Sequence, residues 1–115
     1  MYQFTYAEVV EDSPQEMRAR ERDALTRCLD MLQSAEKSGA GSHEAVAALT
    51  YLRRLWTIFI EDLSSDANDL PNELRAQLIS VGIWILKEIE RLRSGAKDSF
   101  ADLVEINAII RDGLM

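Results

Sequence analysis

The sequence predicts an all-α fold: a small helical bundle of four main helices with short connections and an extended N-terminal segment. Three observations predict it. Apolar residues recur at helical spacing through most of the chain. Helix-start and helix-stop residues, among them two prolines and five glycines, break that pattern into pieces of helix length. The composition is that of a globular protein, with 47% hydrophobic and 29% charged residues. At 115 residues the chain suits one domain. A domain of this size buries roughly two-thirds of its unfolded surface, enough for a core without disulfide staples. Residues 1–115 therefore read as a single domain, with 1–12 extended and 13–115 forming the bundle.

The first helix starts at Ser13-Pro14-Gln15-Glu16. Ser13 caps, Pro14 fits the first helical position and Glu16 closes a capping box. The apolar period runs to about Ala35, and Ser38-Gly39-Ala40-Gly41-Ser42 ends it. Ala24, Leu25, Cys28, Leu29, Met31, Leu32 and Ala35 share one arc, while Arg18, Arg20, Glu21, Arg22 and Asp23 make the early turns polar. The second helix runs from near Ser42 to about Leu63, and Ser64-Ser65-Asp66-Ala67-Asn68-Asp69 is a polar loop. The third starts at Pro71 and ends near Ser94-Gly95; the fourth is capped by Asp98 or Ser99 and ends at Gly113.

The second and third helices are apolar over unusually wide arcs. The second carries Leu49, Leu52, Leu55, Trp56, Phe59, Ile60 and Leu63, leaving Arg53, Arg54, Thr57 and Glu61 on a narrow polar strip. The third carries Leu74, Leu78, Ile79, Val81, Ile83, Ile85, Leu86, Ile89 and Leu92. Arcs that wide need more than one neighbour, which places these two helices at the centre of the bundle. The fourth presents Phe100, Leu103, Val104, Ile106 and Ile110, with Asn107 in the middle of that face. Within residues 1–12, Tyr2, Phe4 and Tyr6 alternate with polar neighbours, so an extended backbone puts their rings on one side.

Charge narrows the partners. Twenty acidic against thirteen basic residues give −7, a surface that repels polyanions and disfavours direct nucleic-acid contact. Residues 1–6 lack the basic start and apolar run of a signal peptide. No stretch reaches the roughly 20 apolar residues of a membrane span. The expected location is the cytoplasm, with no membrane partner.

Nothing in the sequence assembles a catalytic or cofactor site. Cys28 lies inside an apolar arc and reads as a small buried residue rather than a nucleophile. The single histidine, His43, follows the cap Ser42 in the first turn of its helix and reads as exposed; one histidine does not make a zinc site. Phosphate-loop, metalloprotease and nucleophile-elbow motifs are absent. The carboxylate pairs Glu11-Asp12, Glu61-Asp62 and Glu88 with Glu90 read as solvated faces. Glu61-Asp62 ends a helix, where the dipole disfavours negative charge, so a partner is expected, Arg53, Arg54 or another chain. Arg53-Arg54 fits either surface ion pairing or an anchor for a partner's carboxylate. Trp84 falls outside the main apolar arc. Exposed Trp marks binding hot spots, but cover by the aromatic N-terminal segment or by the fourth helix is the preferred reading. Asn107 either fixes register in the bundle or meets a partner. Tyr2, Phe4, Tyr6, Arg53, Arg54, Trp56, Glu61 and Trp84 make up the candidate partner-binding set.

Four segments together resemble the FlaF family of flagellin-regulating proteins. They are Met1-Tyr2-Gln3-Phe4 with Tyr6-Ala7-Glu8 and Glu11-Asp12-Ser13-Pro14; Arg53-Arg54-Leu55-Trp56-Thr57 with Ile60-Glu61-Asp62-Leu63; Leu70-Pro71-Asn72-Glu73-Leu74-Arg75 leading into Leu78-Ile79-Ser80-Val81-Gly82-Ile83-Trp84; and Ile109-Ile110-Arg111-Asp112-Gly113-Leu114. The resemblance spans essentially the whole chain, carried by the order and combination of the segments. It implies a cytoplasmic, non-enzymatic protein without cofactor, acting on flagellin before export and opposing a second regulator, FlbT.

On that resemblance the expected function is a flagellin-binding export chaperone that promotes flagellin synthesis or secretion. A helical bundle offers a groove to an amphipathic helix, and the terminal segments of monomeric flagellin are of that kind. The alternative is a regulator of flagellin mRNA translation acting through FlbT. A homodimer through Trp84 and the aromatic N-terminus is a third arrangement.

Overall fold

A computed structural model describes residues 14–113, which form four helices. They are α1 (Pro14–Ser38), α2 (His43–Ser64), α3 (Asn72–Arg93) and α4 (Ala101–Asp112). The extended segment expected over residues 1–12, with Tyr2, Phe4 and Tyr6, lies outside the described residues, as does the Ser13 cap.

The helix ends follow from local chemistry. Gly39 adopts φ 102° just past α1, a left-handed turn that side chains other than glycine resist. Ser42 then caps α2, its hydroxyl accepting a bond from the Ala45 amide at 3.1 Å. Pro71 occupies the cap position of α3 rather than its first turn. Gly95, at φ 83°, reverses the chain after α3, and the Lys97 amide returns to the Arg91 carbonyl at 3.2 Å.

Two expectations at helix ends are corrected. Asp98 does not cap α4, and Ser99 does so only in part: its hydroxyl accepts from the Ala101 amide at 3.2 Å, from one residue before the cap position. Phe100 takes that place, and its amide donates to Glu36 Oε1 of α1 at 2.7 Å. A distant side chain thus adds to what the local hydroxyl supplies. Neither Arg53 nor Arg54 pairs with Glu61 or Asp62: Asp62 accepts from Asn68 Nδ2 at 3.1 Å, and the backbone end of α2 is met by Arg75 of α3. Its Nη1 donates to the carbonyls of Leu63 (3.3 Å) and Ser65 (2.8 Å), and its Nη2 to Asn72 Oδ1 (2.7 Å). Cationic donors are favoured at helix C-termini, and α2 has none in its own last turn.

The layout also differs from expectation. The close helix packings are α1 on α2, α2 on α3, and α1 on α4. The centre is therefore α1 and α2, and α3 is peripheral. Core residues include Leu25, Cys28 and Leu32 of α1, Leu52 and Trp56 of α2, Ile85 and Ile89 of α3, and Phe100 and Leu103 of α4. Each large side chain among them contributes about 1.5–3 kcal/mol by burial. The early turns of α1, by contrast, leave Met17 exposed. The wide arc of α3 reflects a different cause. One side packs on α2, while Leu74, Trp84 and Ile83 are left 39%, 40% and 46% exposed.

Trp56 joins three helices. Its Nε1 donates to Asn107 Oδ1 of α4 at 2.7 Å inside the core, and Asn107 Nδ2 donates to the Leu103 carbonyl at 2.8 Å. Its ring meets Phe59 edge-on at 5.2 Å between centroids. On its α3 side stands Gly82, where an added Cβ would lie 2.9 Å from both Trp56 Cε3 and Ile60 Cδ1. Gly82→Ala should therefore destabilise the protein, although Ala is the better helix former by about 1 kcal/mol. Overpacking costs about 1–3 kcal/mol, and the indole held by Asn107 cannot yield freely. A lowered thermal midpoint, lower still for Gly82→Val, is the expected result by calorimetry; a raised midpoint for Gly82→Ala would show that the ring gives way.

Candidate functional site

The outward face of α3 and the face of α4 opposite it do not close on each other. Between them runs an apolar furrow of about 340 Å³, with Val81 and Trp84 on the α3 side and Ile106 and Ile109 on the α4 side. Asp102 and Glu105 line its α4 margin. Trp84 is 40% exposed and Ile109 58% exposed. Helical spacing explains the wall, because 102, 105, 106 and 109 fall on one side of α4. Glu105 is exposed and has no side-chain partner among the described residues.

An ion bridge ties α3 to α4 near the Asp102 end. Lys97 Nζ donates to Glu88 Oε1 and to Asp102 Oδ2, both at 2.6 Å, and Arg91 Nη1 donates to Glu88 Oε2 at 2.9 Å. The reversal at Gly95 is what brings Lys97 back beside Glu88. Glu88 was expected on a solvated face; it is instead 4% exposed, and two cations compensate its burial. The hydrogen bond from Lys97, with help from Arg91, holds the Glu88 carboxyl below its ordinary range despite desolvation. The bonds to Asp102 and Glu88 hold the Lys97 ammonium above its ordinary range.

A second groove, of about 370 Å³, opens where the first turns of α1 meet the end of α2 and the last turn of α4. Phe59, Leu63, Leu78 and Ile110 line its apolar part. Glu21, Asp62 and Asp69 stand around it, with Arg18. Burial, and then the charge of Asp62, raise the pKa of Glu21 above its ordinary value.

The structure brings few of the sequence-selected residues together. Trp84 lines the furrow. Trp56 is 1% exposed, its N–H is committed to Asn107, and it takes part in lining the second groove. Arg53, Arg54 and Glu61 are exposed along α2 with Ile58, and their side chains have no partners among the described residues. Tyr2, Phe4 and Tyr6 lie outside the described residues. Sequence reasoning missed Ile109, which falls off the main apolar arc of α4. That offset was itself a signal, since a large apolar residue outside the core stripe has to face something else.

Cys28 is fully buried, and desolvation pushes its thiol up to about 12, far from a nucleophile's range. His43 is exposed. Among the described residues no group of three or more His, Cys, Asp or Glu is placed to hold a metal ion, and no helix is long and apolar enough to cross a membrane.

The family model for flagellar protein FlaF matches residues 2–114. No curated protein and no solved structure matches the chain.

Two outcomes follow from the charges and the thiol. Glu88 stabilises the fold above its ordinary value of 4.5, and that contribution is lost as pH falls through its lowered native value. Lys97 stabilises it below 10.5 and loses that contribution as pH rises through its raised native value. Melting temperature against pH should show a plateau between those limits, and Glu88→Gln should lower the plateau and flatten the acid limb; an unchanged acid limb would show that Glu88 is not the titrating group. Cys28 should resist an aromatic disulfide reagent at mildly alkaline pH in the folded protein and react fully in guanidinium. Rapid reaction without denaturant would contradict its burial.

Proposed function

This chain belongs to the FlaF family of flagellar proteins, and on that premise we propose that it binds flagellin before export, seating an amphipathic helix of flagellin in the furrow between α3 and α4. The observation that carries the reading is Trp84. It is the large aromatic of an apolar furrow, 40% exposed and flanked by Val81, Ile106 and Ile109. An amphipathic helix docks in such a furrow through apolar anchors at i, i+3, i+4 and i+7. Covering those anchors keeps a client from aggregating before it is assembled. The walls of the furrow are fixed by folded helices, so little ordering is needed on this side of the complex. Its site is the cytoplasm, where flagellin is made, and its effect on flagellin synthesis or secretion follows from holding the client and opposing FlbT. The acidic surface, at −7 overall, disfavours direct action on flagellin mRNA.

The decisive measurement is affinity for purified flagellin in the absence of RNA and of FlbT. Trp84→Ala should weaken binding by about thirtyfold, the scale of a hot-spot residue, with the far-ultraviolet spectrum unchanged. Arg54→Ala, on the exposed strip of α2, should change it by less than about twofold, as exposed charges do. A large loss with Arg54→Ala alone would move the interface to that strip. No association with flagellin, together with binding to FlbT, would replace the chaperone reading with the translational one.

A further inference from the structure

The second groove differs from the furrow in its charge. Its apolar part is formed by Phe59, Leu63, Leu78 and Ile110, and three carboxylates stand around it, those of Glu21, Asp62 and Asp69. Arg18 is the cation among the described lining residues. Asp62 accepts one hydrogen bond, from Asn68 Nδ2 at 3.1 Å, and the side chain of Asp69 has no partner among the described residues. Burial first, and then the charge of Asp62, make Glu21 hold its proton to higher pH than an ordinary carboxyl, against the opposing pull of Arg18 and Arg20. Carboxylates crowded around an apolar floor are relieved by a cation that arrives with its own apolar surface.

We propose that this groove is a second docking site, and that its occupant is an amphipathic segment of a partner protein whose apolar anchors are flanked by Lys or Arg. The apolar side chains fill the floor over Phe59 and Leu78, and the cations reach Asp62 and Asp69 at the rim. The site is separate from the α3–α4 furrow: Ile110 faces the groove while its neighbour Ile109 faces the furrow, about 100° apart around α4. The proposal stands whether or not the furrow binds flagellin.

The test uses the full chain and two fluorescein-labelled helical peptides with the same leucine face, one bearing lysines and the other glutamates. Fluorescence anisotropy should show the lysine peptide binding about tenfold or more tightly than the glutamate peptide, a difference that added salt reduces. Asp62→Asn with Asp69→Asn should abolish that preference. Asp30→Asn with Glu90→Gln makes the same change in net charge at exposed positions outside the groove and should leave the preference intact. Leu78→Ser should weaken the lysine peptide, and Trp84→Ala should not. Equal loss from the two charge-neutralised pairs would mean nonspecific attraction and overturn the proposal. So would a rise of about tenfold or more in affinity when Tyr2, Phe4 and Tyr6 are replaced by Ser, because the chain's own rings would then be the occupant. Sedimentation showing a dimer that Leu78→Ser dissolves would assign the groove to a second copy and equally overturn it.

Discussion

The indole of Trp56 holds the bundle together at a point where burial and polarity have to be reconciled. A ring of this size supplies more apolar surface than any other core residue, but its N–H cannot be left bare in a dry interior without a cost of about 1–3 kcal/mol. Asn107 removes that cost with a 2.7 Å bond from α4, and its own amide is satisfied by the Leu103 carbonyl. The same ring sets the spacing of α3, whose backbone comes so near at Gly82 that no side chain fits. Two helices are thus positioned against α2 by one of its side chains, α3 by contact and α4 by a directional bond. Directionality matters here because apolar stripes alone permit several sliding registers, and a single buried polar pair selects one.

Long polar side chains fasten what the core leaves loose. Glu36 reaches from α1 to cap α4, Arg75 reaches from α3 to the end of α2, and Lys97 links α3 to α4. Each spans a place where helix ends expose unsatisfied backbone groups or where two helices fail to pack closely. The furrow exists because α3 and α4 are joined at the Lys97 bridge and at the short turn but are not zipped along their length. The interior is therefore economical in contacts between these two helices, and the apolar side chains that would have made them line a recess instead.

Much of this was legible in the sequence. The four helices and most of their ends follow from period and punctuation, with Ser42 the clearest case: a hydroxyl in the right place caps its own helix whatever surrounds it. Residues whose roles depend on a distant partner were not legible. Glu88 looks like any solvated helix carboxylate until the turn at Gly95 returns Lys97 to it, and Glu36 gives no sign that it caps a helix 64 residues away. The wide arc of α3 was read as a demand for interior neighbours, because periodicity reports how much of a helix is greasy and not what covers it. Trp84 lies off the core stripe as the spacing has it, but α4, the cover preferred for it among the described residues, leaves it 40% exposed; the groove beside Phe59 could not be seen at all, since α1, α2, α3 and α4 each contribute part of it.

The notch at Gly82 has a wider consequence. At this point α3 comes so near α2 that a Cβ would press on Trp56 and Ile60, and the same helix carries Trp84 into the furrow. A residue of better intrinsic helicity at this position would overpack the seam between α2 and α3. Core packing and the placing of the α3 wall therefore both favour this glycine, against its poor helix propensity.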